Sequence, residues 1–504
     1  MSQPYEIIIG LEVHVQLQTK TKLFCRCSTK FGQPPNTQTC PLCIGMPGTL
    51  PVMNREAFKL GLRTALALNC KIAKFTKWDR KNYYYPDLPK GYQISQYDLP
   101  FSYEGYLEIQ DPKGRFEPKK VRITRAHLEE DAGKSMHDEE HGKADSLIDL
   151  NRTGTPLVEI VSEPDMRSAE EAKAYLTELR LLLTYLGVSD CNMQEGSLRV
   201  DANINLHVET PEGKVATPIV EVKNMNSFRA VERAITYEVQ RQYDEWQVTH
   251  QKLGDVPKQT RGWDDPANVT RAQRHKEESS DYRYFPEPDL VPVVVSDEEI
   301  AQVKQSMGEL PSALRERLES THGITPYDSD VLVNQGQAVV DYFIDLSTQV
   351  KDGKLAANWV QQDVLRTLNE QQMDIADFPI RSQQLAELLQ KVIAKELDTS
   401  RGREVFTIMF TSGNTAAEVM EELGIVAVDN SELQSLCAEL VNAPHNEKIV
   451  NDVKSGKQQA AGALVGQAKK KNPNADPRKV REICVELIVK MGVESDSDVE
   501  ADLK

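Results

Sequence analysis

The chain predicts an α+β fold: a mostly antiparallel sheet in the N-terminal part, then helices. Three observations predict it. Residues 1–293 are crowded with strand patterns and turns. Those strands do not alternate strictly with helices, as they would around a parallel sheet. Beyond that stretch the apolar spacing becomes helical. At 504 residues the chain is too long for one core, and roughly 150 residues per domain suggests about three. We expect domains at 1–293, 294–410 and 411–504.

The first strand is the clearest. In "GLEVHVQLQ", Leu11, Val13, Val15 and Leu17 continue an alternation begun by Ile7 and Ile9. Its other face carries Glu12, His14 and Gln16, with same-face neighbours only ~7 Å apart. "KKVRITRAHLEE", "TPLVEIVSE", "GSLRVDANINLHVE" and "TPIVEVKNM" read as further strands. Between them, "SAEEAKAYLTELRLLLTYLG" is a helix with Ser168 as N-cap and Gly187 as stop, and "SFRAVERAITYEVQRQYDEW" is a second. The Pro-rich "YFPEPDLVPVVVSDEEI" ends at an N-cap, Ser296, and marks a boundary. Helical runs such as "DVLVNQGQAVVDYFIDLSTQ" and "RSQQLAELLQKVIAKEL" follow, and small helices begin near 411. No period indicates a repeat array.

Bulk properties exclude some classes. Composition is ordinary for a globular protein, 39% hydrophobic and 27% charged. The N-terminus has no basic n-region, and no run approaches the ~20 apolar residues of a membrane helix; we expect a cytoplasmic protein without membrane contact. The net charge of −17, taken alone, argues against a nucleic-acid-binding protein, although local patches can override the average. Residues 454–481 are the exception, with Lys454, Lys457, Lys469, Lys470, Lys471, Arg478, Lys479 and Arg481 against Asp476.

The strongest generic motif is Cys25-x-Cys27, twelve residues, then Cys40-x-x-Cys43. Two close cysteine pairs joined by the turn-forming "FGQPPNTQT" suit a tetrahedral zinc cage. Four thiolates leave no open coordination position, so this zinc is expected to be structural. Cys70, Cys191, Cys437 and Cys484 are scattered. "DAGKS" ends like a phosphate-binding loop, but that motif needs a glycine at 128, which is Leu128. Acids are the better clue: "HLEEDAG" offers His127, Glu129, Glu130 and Asp131, and "TPLVEIVSEPD" offers Glu159 and Glu163. Each alone reads as a solvated face. Together with Glu12 and His14, oxygen ligands and one imidazole on a sheet would suit Mg²⁺ or Mn²⁺.

"GLEVHVQLQTKTKLF", "WDRKNYYYPDLPKGYQISQYD", "HLEEDAGKS", "DLNRTGTPLVEIVSEPD", "EGSLRVDANIN" and "DYRYFPEPDLVP" occur in order. The chain closely resembles the B subunits of the aspartyl/glutamyl-tRNA amidotransferases over essentially its whole length. The resemblance implies a glutamine-synthetase-like cradle domain, a helical domain and a YqeY-like tail. It implies that ATP phosphorylates the side-chain carboxylate of Glu-tRNA(Gln) and/or Asp-tRNA(Asn), and that ammonia then displaces phosphate. Ammonia would come from a separate glutaminase, the amidase subunit. A small third subunit would tie the two together in a heterotrimer. The family's catalytic Mg²⁺ ligands map onto Glu12, His14, Glu130 and Glu159, with Glu130 taken over Glu129 by the family alignment.

Cations should complete a phosphate clamp. "DRKNYYYPDLPKGYQ" supplies Arg80, Lys81 and Lys90, with Lys81 and Lys90 the best candidates for ATP or the aminoacyl end. Arg199 is a further candidate, although it shares a strand face with Asp201 and could simply pair with it; Arg283 is similar. With the resemblance, Lys457, Lys469, Lys470 and Lys471 become candidate tRNA contacts. Two other readings stay open: a non-catalytic, zinc-stapled RNA-binding protein, and a metal-dependent phosphoesterase acting on RNA.

Overall fold

The structure, a computed structural model, describes residues 4–137, 146–273, 282–425, 430–472, 475 and 477–501. These form two compact units, Met1–Leu314 and Arg315–Lys504.

The first unit runs β1 (Tyr5–Gln16), α1 (Arg55–Ala67), β2 (Lys71–Ile72), β3 (Phe75–Thr76), β4 (Asp79–Asn82), β5 (Tyr92–Ser95), β6 (Ser102–Ile109) and β7 (Lys119–Glu130). It continues through β8 (Lys134–His137), β9 (Ser146–Asp149), β10 (Pro156–Ser162), α2 (Ala169–Tyr185), β11 (Leu198–Thr210), β12 (Gly213–Ala216) and β13 (Val220–Lys223). It closes with α3 (Phe228–Thr249), β14 (Gln259–Asp264), β15 (Val269–Ala272), β16 (Phe285–Pro286), β17 (Val293–Val294) and α4 (Asp297–Gln305). Ten strands make one sheet in the order β15-β14-β13-β11-β1-β10-β7-β6-β2, with β12 added to β11. Of these pairings only β13–β14 is parallel. The expected α+β class, with its mostly antiparallel sheet followed by helices, is what forms.

Alternation decides what each face does. Leu11, Val13 and Val15 point into the core, at most 1% exposed, and Val13 sits between Ile160 of β10 and Val200 of β11. Each such side chain contributes about 1.5–3 kcal/mol by leaving water. Helices α1, α2 and α3 cover this apolar face. Ser168 and Ser296 cap α2 and α4, accepting from Glu171 N at 3.2 Å and Glu299 N at 3.1 Å. Helix α4 belongs to the first unit, against α1. The opposite, polar face of the sheet lies beside a three-stranded sheet in the order β16-β4-β5.

In the second unit the described elements are helical. The helix Gly353–Trp359 passes through a π-helical turn, Val360–Val364, into Leu365–Gln371. Its last part packs the helices Asn430–Asn442, Glu447–Lys454, Gly462–Lys471 and Pro477–Ala501 on a core containing Leu433, Cys437, Leu464 and Cys484. Among the described residues no helix is long and apolar enough to cross a membrane.

Candidate active site and cysteine centre

Register places the chemistry. On the polar face His14 of β1 lies opposite Glu159 of β10 and Arg199 of β11, and Glu159 lies opposite His127 of β7. Ligand atoms of His14, Glu129 and Glu159 fall within 4.8 Å of one another. His14 Nε2 is 3.6 Å from Glu129 and 3.5 Å from Glu159. An octahedral shell with ~2.1 Å bonds spaces its donors about 3.0 Å (cis) to 4.2 Å (trans) apart, so these three side chains fit one divalent cation. His127 stands behind them, 2% exposed, with Nε2 3.3 Å from Glu159 and Nδ1 unpartnered. Burial opposes charge on Glu159, but His127 and His14 overcome it and hold this carboxyl well below the usual range. Burial likewise opposes protonation of His14, and Glu159 and Glu129 outweigh it.

Glu130 is not brought to this cluster. Residues 126, 128 and 130 share the face of β7 that carries Ala126 and Leu128, while His127 and Glu129 share the polar one. Glu130 is 1% exposed, ion-paired with Lys90, and accepts from Ile94 N at 2.9 Å. The geometry thus brings Glu129, and not the expected Glu130, to His14 and Glu159. Glu12 lies one same-face step along β1, where its carboxylate joins those of Asp201 and Glu221 within 4.8 Å and accepts from Asn203 at 2.8 Å.

The candidate cations divide. Lys81, on β4, faces the cluster. Burial opposes its charge, and Glu129 and Glu159 more than compensate, raising its pKa. Tyr284 stands beside it, stacked on Tyr97 at 4.0 Å. Burial first, then Glu129 and Glu159, push the Tyr284 hydroxyl up to about 12 against the pull of Lys81. Arg80 points the other way, gripping Glu287 through bonds of 2.6 and 2.9 Å and lying over Tyr92. Lys90 is committed to Glu130. Arg199 pairs with Asp131 at 3.0 Å rather than with Asp201, which takes Lys223 at 2.5 Å. Arg283 is exposed, with φ 43°, and its carbonyl accepts from Asn82 at 2.6 Å. Of these five, Lys81 is the one whose charge Glu129 and Glu159 hold up, and Arg199 borders the cluster opposite His14.

The four cysteines do converge. Cys43 Sγ lies 3.7 Å from Cys25, 3.7 Å from Cys40 and 4.0 Å from Cys27. A tetrahedron with ~2.3 Å metal–sulfur bonds has edges of about 3.8 Å, so the donor set fits zinc. Asn36 and Asn151 hold the intervening loop, bonding Ile148 O at 2.9 Å and Pro34 O at 2.7 Å. In the tail, Lys457, Lys469 and Lys471 pair with Asp452, Asp398 and Glu439 at 3.1, 3.6 and 2.6 Å, and Lys470 is exposed.

Comparison with known proteins agrees with this architecture. The family model of the GatB/GatE catalytic domain matches residues 7–301, and that of a GatB domain matches 341–488. A protein of Rhodopirellula baltica named as the B subunit of aspartyl/glutamyl-tRNA(Asn/Gln) amidotransferase is 59% identical over 97% of this chain and 98% of its own. Relatives of the same name from Carboxydothermus hydrogenoformans and Thermosynechococcus vestitus are 44% and 46% identical, each over 97% of this chain and 99% and 97% of their own. On the sheet, the helical second part and these full-length matches, the chain belongs to the family of aspartyl/glutamyl-tRNA(Asn/Gln) amidotransferase B subunits.

Proposed function

We propose that the chain is the phosphorylating and amidating member of a glutamine-hydrolysing aminoacyl-tRNA ligase. The observation that carries the reaction is the convergence of His14, Glu129 and Glu159 on one side of the sheet. The side-chain carboxylate of glutamate or aspartate on tRNA attacks the γ-phosphorus of ATP and ADP leaves. Ammonia then attacks the acyl carbon, phosphate departs, and one proton is lost, giving Gln-tRNA(Gln) or Asn-tRNA(Asn). His14, Glu129 and Glu159 would hold a Mg²⁺ or Mn²⁺, which when bound supplies positive charge between the anionic nucleotide and the carboxylate. Lys81, held protonated, places a fixed positive charge toward the transferring phosphoryl group. Tyr284 keeps its proton at neutral pH and lines the same space as a neutral hydroxyl. The β4–β5–β16 sheet borders this polar floor.

Ammonia would reach the site from glutamine hydrolysed by the amidase subunit, and the small third subunit would complete a cytoplasmic heterotrimer. Lys457, Lys469, Lys470 and Lys471 would meet tRNA phosphates. The test is reconstitution with both partner subunits, mischarged tRNA, ATP and glutamine, omitting each in turn. Amidation must require all of them, with free ammonia replacing glutamine and the amidase. Amidation without ATP, or tRNA cleavage without either, overturns the reading. The non-catalytic reading is disfavoured by the cost of gathering two carboxylates at a buried site that no binding role needs.

A further inference from the structure

Lys22 takes no part in the His14 cluster, yet it is among the largest fully buried side chains, 0% exposed. Its Nζ lies 3.5 Å from Cys43 Sγ and 3.4 Å from Leu150 O. Its backbone is tied into the same loop, the amide donating to Cys27 O at 3.0 Å and the carbonyl accepting from Asn54 at 3.4 Å. A lysine head group is rarely taken out of water without an anion to meet it. The anion within reach here is a cysteine sulfur.

We propose that Lys22 is a positioning residue of the four-cysteine centre, the buried counter-charge that lets four thiolates and a divalent metal persist in a half-buried loop. The proposal rests on the reading of those cysteines as a zinc site. Four thiolates around a 2+ ion leave a net charge of −2, and an uncompensated buried charge is costly. One ammonium at Cys43 halves the excess, and its N–H···S hydrogen bond draws charge from the sulfur that is itself most buried, Cys43 at 2% exposed. The same side chain adjoins the back of the catalytic strand. A Cβ placed on Gly154 would lie 3.5 Å from Lys22 Cδ and 3.6 Å from Glu130 Oε2. The lysine that serves the cysteine centre and the carboxylate behind Glu129 thus share one glycine as spacer.

The test uses the full chain with zinc alone as probe, comparing wild type with Lys22→Met, Lys22→Gln and Lys22→Arg. The readouts are the rate of zinc transfer to a chelating dye and the sulfur-to-cobalt charge-transfer band after Co²⁺ substitution. Far-ultraviolet circular dichroism of the metal-free proteins checks folding. Both neutral variants should release zinc at least tenfold faster and shift the cobalt band. Lys22→Arg should stay within threefold of wild type. Should Lys22→Met misfold, Lys22→Gln carries the comparison. Wild-type-like release and spectrum in a folded neutral variant overturn the proposal, as does equal impairment in Lys22→Arg, which would mark a packing role. Wild type that takes up no zinc overturns the zinc reading and the proposal with it, a result distinct from the other two.

Discussion

At residue scale the site turns on adjacent glutamates. Glu129 and Glu130 differ by one step on a strand, and one step reverses the face. The same period-2 rule that reads β1 selects between them in "HLEED": His127 and Glu129 share one side, Leu128 and Glu130 the other. The face each residue takes is therefore legible in the sequence. Glu129→Gln should lower ATP-dependent amidation by ~10²–10³-fold while thermal unfolding stays near wild type, because Glu129 is not part of the apolar packing. Glu130→Ala should instead lower stability by about 3–5 kcal/mol, since it strands the buried ammonium of Lys90. Thermal melts and initial rates on both variants check this; a stable but inactive Glu130→Ala would return the role to Glu130. Lys81→Met should cut the rate of phosphorylation at saturating ATP with little change in tRNA affinity, read by single-turnover assay.

At the scale of elements, strands, caps and the cysteine centre are legible because each depends on local spacing. Capping by Ser168 and Ser296, the alternation of β1 and the Cys25-to-Cys43 pattern all survive folding. The cationic clamp is not legible, because ion pairs are long-range. Nothing near Arg80 announces Glu287, and nothing near Arg199 selects Asp131 over Asp201. His127 is visible as a polar residue, but its seat behind Glu159 depends on the β7–β10 register. The cysteines give a prediction. Burial pushes the Cys70 and Cys191 thiols up to about 12, which leaves almost no thiolate at neutral pH. Native alkylation read by peptide mass should spare both, and should label Cys25, Cys27 and Cys40 only after a chelator has stripped the metal. Between β7 and the approach to α2, Arg122 clasps Asp165 with bonds of 2.9 and 2.7 Å. That hydrogen bonding, more than any other cause, lowers the Asp165 pKa below 3.8. A depressed carboxyl contributes stability above its unfolded value and loses it as pH falls through the folded one. Asp165→Asn should therefore cost well under about 1 kcal/mol near pH 7, given an exposed Arg122, and should unfold with a shallower pH dependence below about pH 4 in acid titrations.

For the whole molecule, the expectation of three domains comes from changes in pattern, whereas contacts gather the chain into two compact units. The Pro-rich stretch before Ser296 reads as a boundary because proline interrupts regular structure, yet α4 beyond it packs on α1. Composition also misleads at this scale, since an average of −17 hides the basic segment 454–481. The run Lys469–Lys471 has a structural reason to exist, as cations in the last turn of the helix Gly462–Lys471 complement its dipole. Three of the four candidate lysines are also partly exposed partners in ion pairs, which are weak in water and readily exchanged for phosphate. Binding through them would be electrostatic and indifferent to base sequence. Replacing Lys457, Lys469, Lys470 and Lys471 by alanine should weaken tRNA binding uniformly across tRNA sequences. The slope of log affinity against log salt should fall by about one for each phosphate contact removed. Filter binding from low to moderate salt measures both quantities. An unchanged slope in the fourfold variant would place the tRNA contact on other groups, while a changed slope with intact ammonia-dependent amidation at saturating tRNA would assign these lysines to docking alone.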